Sequence, residues 1–124
     1  MAQNARETKV KLSAIAGVLG FLAVALGAFG AHGLEDRLGQ QELGWWQTAT
    51  LYLLVHAAVS AALGTGDSRW HRAGWLMAAG AALFSGTLYA MALGAPTALG
   101  AITPVGGLLM LAGWASLVWS ALRV

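Results

Sequence analysis

Thr48, Tyr52, His56, Ser60 and Gly64 recur at every fourth position along an uncharged, largely apolar stretch. On a helix they form one slowly turning stripe. Its imidazole and phenol are groups that can handle a proton or hold a polar ligand. His56 stands near the middle of the stretch. Ionisable side chains deep in a bilayer face the interior of a bundle or a cavity, and desolvation disfavours an imidazolium, so a neutral ring is expected. A neutral imidazole needs a partner on each nitrogen. Tyr52 on its own helix, and Ser85, Thr87 or Tyr89 further along, lie at matching depth. The leading reading of His56 is a polar tie between the second and third helices. The alternative is a carrier or binding pocket for a small lipid-soluble or neutral molecule around it.

Other polar residues extend the candidate ligand-binding cluster to His32, Gln47, Tyr52, His56, Ser85, Tyr89 and Thr103. His32 and Gln47 flank the first outer loop, where they are placed to meet and pin a helical hairpin. His32, Glu35 and Asp36 would share a helical face, but carboxylates beside one histidine in a solvated loop are expected to stay solvated, so no metal site is assigned. His71, between Arg69 and Arg72, belongs with a basic loop suited to anionic lipid. A haem held by His32 and His56 is disfavoured, because the two lie about 15 Å apart in depth at 1.5 Å per residue. The chain has no cysteine, hence no disulfide and no thiolate. Gly-x-Ser-x-Gly, His-Glu-x-x-His and phosphate-loop motifs do not occur. No charged residue lies within a span to couple transport to protons or sodium. No cofactor is expected, and the protein is read as not an enzyme.

The elements that hold these residues follow from the charge gaps. No charge occurs between Lys11 and Glu35, between Glu42 and Asp67, or between Arg72 and Arg123. A spanning helix needs about 20 apolar residues. The first two gaps hold one span each, and the third, broken by Gly94-Ala95-Pro96 and Thr103-Pro104, holds two. Charged residues make up 10% of the 124, and apolar residues 58%, which in water would leave large exposed apolar patches. The expected fold is an all-α membrane protein, a single domain forming a left-handed bundle of four transmembrane helices at about 11–31, 45–64, 73–93 and 104–122. The run from Leu12 to Ala31 exceeds the apolar core of a signal peptide and reads as a retained first span. Arg6, Lys9, Lys11, Arg69, Arg72 and Arg123 fall on one side and only Arg37 on the other. Both termini are therefore expected in the cytoplasm. A net charge of +2 is too small and dispersed for a nucleic-acid surface.

Membrane helices associate through close backbone approach. Small residues recur at heptad spacing along the first helix (Ser13, Gly17, Gly20, Val24, Gly27, Ala31), the third (Gly74, Ala78, Ala81, Ser85, Leu88, Ala92) and the fourth (Gly106, Gly113, Ser120). Such seams suit neighbours within the bundle, or a protein partner or second copy. Leu34 and Leu38 predict either a short outer surface helix within 33–44 or a plain polar turn. Thr103 is expected to cap the fourth helix with Pro104 in its first turn. The less favoured alternative is a helix starting near Thr97 and kinked at Pro104.

Four ordered motifs carry a family resemblance. They are Gly27-Ala28-Phe29-Gly30-Ala31-His32-Gly33-Leu34; Trp46-Gln47-Thr48-Ala49 with Tyr52-Leu53-Leu54-Val55-His56; Leu83-Phe84-Ser85-Gly86-Thr87-Leu88-Tyr89; and Ile102-Thr103-Pro104-Val105-Gly106-Gly107 with Gly113-Trp114. The chain resembles the YgdD/YwdK-like family of small inner-membrane proteins, a family built on a domain of unknown function with a small mitochondrial transmembrane relative in eukaryotes. That resemblance implies a four-span protein of the bacterial cytoplasmic (inner) membrane, and it carries over no reaction and no catalytic residue. The function expected is that of a non-catalytic accessory or assembly component.

Overall fold

The computed structural model describes residues 2–123, and in it the chain is four long helices: α1 (Ala2–His32), α2 (Gln40–Thr65), α3 (His71–Ala92) and α4 (Thr103–Leu122). Each lies in a segment long and apolar enough to cross a membrane. Two start earlier than the apolar pattern suggests. Arg6, Glu7, Lys9 and Lys11 extend α1, and Gln40, Gln41 and Glu42 open α2. These residues favour helix, and no glycine or proline interrupts them, so both helices continue beyond the apolar core.

The helices pack in chain order, α1 on α2, α2 on α3 and α3 on α4, with α3 also touching α1. Central α3 is the most enclosed: 56% of its most apolar window is buried, against 17% for α1. The anticipated small-residue seams of α3 and α4 are buried throughout. At their crossing the backbones touch. A Cβ on Gly80 would lie 2.7 Å from the Gly106 carbonyl oxygen, and one on Gly106 would lie 2.5 Å from the Phe84 nitrogen.

The expected α1 seam is half realised: Ser13, Gly20 and Gly27 are half-buried and lie toward α2, but the rest of it is displaced. Leu12, Ala16, Ala23 and Gly30 face inward, whereas Gly17, Val24 and Ala31 are exposed. Larger side chains fix this register. The Trp46 indole lies where a Cβ on Gly30 would be, and fully buried Leu12 packs against Gly64 and Gly74. Small residues occupy two neighbouring faces of α1, so size alone does not select between them.

Connections are short and hydrogen-bonded. Residues 33–39 form turns rather than a surface helix. Leu34 is buried in the core with Trp46, Tyr89 and Met91, so its apolar side faces the bundle. After α3, Gly94 takes φ +106°, while the Ala95 N–H donates to the Ala90 carbonyl and the Gly94 N–H to the Met91 carbonyl. This is a Schellman stop, which favours glycine because the left-handed region crowds a Cβ. A 3-10 turn over Thr97–Ala101 then leads into α4. Pro104 occupies the first turn of α4, but the Thr103 side chain does not cap it.

Candidate functional site

His56 lies on the inner face of α2 at 5% exposure. Its Nδ1 is 2.7 Å from the Tyr52 carbonyl oxygen. That oxygen only accepts, so Nδ1 carries the proton. Its Nε2 lies 3.1 Å from Trp114 Nε1 on α4. The indole N–H only donates, so Nε2 carries the lone pair. Both nitrogens are satisfied in one neutral tautomer, and an imidazolium would set N–H against N–H. The expected α3 partners are not used. Ser85, Thr87 and Tyr89 bond elsewhere, and Tyr52 contributes its carbonyl together with a ring stacked on His56 at 6.0 Å.

The remaining candidates form separate ties rather than one cluster. Tyr89 Oη and Thr50 Oγ1 are 2.7 Å apart, and Thr50 donates in turn to the Trp46 carbonyl at 3.0 Å. Trp46 Nε1 reaches back to the Leu26 carbonyl of α1 at 2.7 Å. Ser85 donates to the Ala49 carbonyl at 2.8 Å, and Ser60 to the Gly74 carbonyl at 3.1 Å. Thr103 is 2.7 Å from Thr87 and 3.2 Å from the Leu99 carbonyl, the local bonds it makes in place of a cap. His32 and Gln47 are exposed, and neither makes a side-chain hydrogen bond among the described residues, so the pin across the first loop does not form. His71 is buried and bonds the Gly66 carbonyl at 3.2 Å. It closes the turn instead of joining the basic surface. Nearby Arg72 bonds Ser116 at 2.9 Å.

Trp114, Thr50 and Trp46 are the participants that sequence reasoning missed. Trp114 sits in the middle of α4, away from the interfacial belt where tryptophan is usual. A mid-span indole N–H requires an acceptor, and that was the available signal. Among the described residues no buried side-chain nitrogen or oxygen lacks a partner, and no group of three His, Asp or Glu is placed to hold a metal.

A cleft of about 510 Å³ opens beside His56 between α2 and α4. Phe84 of α3 lines it with Tyr52, Gly107, Leu111 and Trp114, and among the described residues no charged one borders it. At the opposite, Arg-rich end, Ser68, Arg69, Arg72, Ser120 and Arg123 surround a second hollow of about 320 Å³.

The family described as "Protein of unknown function (DUF423)" matches residues 26–107, from late α1 into α4. A UPF0382 membrane protein of Staphylococcus epidermidis is 42% identical over 119 residues, covering 92% of this chain and 98% of its own. The membrane protein YwdK of Bacillus subtilis is 43% identical over 108 residues, 82% of this chain and 88% of that one. The inner membrane protein YgdD of Escherichia coli is 40% identical over 114 residues, 88% and 87%. No solved structure matches. With four membrane-length helices and such similarity along most of its length, the chain belongs to this family of small membrane proteins of unknown function.

Proposed function

We propose that the protein performs no chemistry of its own and serves as an accessory or assembly component of a bacterial cytoplasmic membrane, with both termini in the cytoplasm. The observation that carries this reading is how its intramembrane polar groups are used. His56, Ser60, Ser85, Tyr89 and Thr103 each bond a neighbouring helix, or a residue on one, and together they tie α2, α3 and α4 to one another. Groups engaged in this way hold a scaffold in register. The name of the Escherichia coli relative, an inner membrane protein, supports the location, and the six-to-one sorting of Lys and Arg supports the orientation.

A component of this kind works through what binds it. The α3 and α4 seams are consumed inside the chain, which leaves sparsely covered α1 as the helix most open to a protein partner or a second copy. The test is isolation of the tagged chain in polymer-bounded native membrane discs, followed by quantitative mass spectrometry. One polypeptide in fixed ratio, or a second copy of this chain, is expected. Recovery as a lone monomer contradicts the reading.

A further inference from the structure

One residue lining the cleft beside His56, Tyr52, carries a polar group that the fold does not use. Tyr89, the other tyrosine, bonds Thr50, whereas the Tyr52 hydroxyl has no hydrogen-bond partner among the described residues. Tyr52 lies midway along a helix of 26 residues, which spans about 39 Å at 1.5 Å per residue. Its side chain is therefore within a hydrocarbon layer about 30 Å thick, where water does not supply the missing partner. A ring that merely met lipid tails would be served as well by phenylalanine. The ring is held in place, tilted against Phe84 at 4.8 Å and stacked on His56, and the residue lines the cleft.

The surroundings define what fits. Gly107 leaves the wall open, since a Cβ built there meets nothing within 4 Å. Leu108 and Leu111, each 65% exposed, form a rim facing lipid, so entry is lateral. Among the described residues no charge borders the cleft, and both His56 nitrogens are occupied, so a charged head would find no counter-ion. The volume lies within the roughly 300–1,000 Å³ usual for small-molecule sites.

We propose that this cleft binds one molecule of an uncharged, membrane-soluble lipid whose head carries a carbonyl. The carbonyl accepts from the Tyr52 hydroxyl, and the head lies between Phe84 and Trp114. A quinone and an acyl ester share this chemistry. The inference is independent of the accessory role, since a scaffold with or without protein partners can hold such a lipid.

The test uses the full chain in phosphatidylcholine nanodiscs, with decylubiquinone and 1-oleoylglycerol as separate probes and bound probe counted by native mass spectrometry. Saturable binding of one copy per chain is expected for at least one probe, and which one binds distinguishes a flat ring from an ester head. Tyr52→Phe should weaken binding about tenfold, the effect of one hydrogen bond. Gly107→Leu, which fills the cleft from an open position, should abolish it. Neither substitution removes a helix–helix contact, so thermal unfolding should be unchanged. Absence of saturable binding by both probes, or binding that Tyr52→Phe leaves intact, overturns the assignment.

Discussion

The indole of Trp114 can only donate, whereas the neutral imidazole of His56 has two tautomers, and only the one protonated at Nδ1 satisfies both rings. Nitrogen NMR of His56 in lipid at neutral pH should show a single neutral ring protonated at Nδ1; a ring protonated at both nitrogens would contradict the geometry. The energetics follow the same logic. His56→Leu leaves the Trp114 N–H facing an apolar group, and Trp114→Phe leaves the Nε2 lone pair unpaired. Each should cost about 1–3 kcal/mol, while the double substitution should cost less than the sum of the two. Reversible unfolding in mixed micelles measures all three, and simple additivity would refute the coupling. At this scale the sequence was half informative. Depth and periodicity located His56 and implied a neutral ring. Matching by depth points to Tyr52 and to hydroxyls of α3 as its partners, and does not reveal that α4 approaches α2 across the cleft.

Elements are held by backbone proximity, and glycines show where. Gly80 and Gly107 lie on neighbouring helices but in opposite surroundings: one meets backbone atoms of α4 and the other meets open space. Gly80→Ala should therefore destabilise by about 1–3 kcal/mol, the usual cost of overpacking, while Gly107→Ala should be neutral or slightly stabilising. Equal effects in the same unfolding assay would mean that α3 and α4 do not cross at Gly80 and Gly106. Gly94→Ala tests the turn after α3, where φ of +106° disfavours alanine by about 1–2 kcal/mol. The seams of α3 and α4 were legible because buried and small positions coincide there. On α1 they diverge, since Leu12 enters a hollow formed by Gly64 and Gly74 that belongs to the other helices. Likewise, Leu34 and Leu38 have the spacing of a surface helix, but burial of Leu34 against Trp46 and Met91 is a property of the assembled bundle.

For the whole molecule, hydrocarbon is the solvent that reconciles the features. Phe21 is 74% exposed and Leu122 77%, which suits lipid tails, while His56, Ser60, Ser85, Tyr89 and Thr103 bond across helices. Number of spans and class were legible because three long charge gaps are incompatible with a water-exposed surface. Which helices adjoin was not, since it depends on shape rather than composition. The absence of native cysteine allows a direct test of the four-span topology in cells. Single substitutions Asn4→Cys, Ser68→Cys and Arg123→Cys would report one face, and Asp36→Cys and Thr97→Cys the other, through labelling by a membrane-impermeant maleimide in spheroplasts. Asp36→Cys and Thr97→Cys should react in intact spheroplasts, while the other three should react only after permeabilisation. Labelling that separates Asn4→Cys from Arg123→Cys, or that places Ser68→Cys with Asp36→Cys, would contradict that topology.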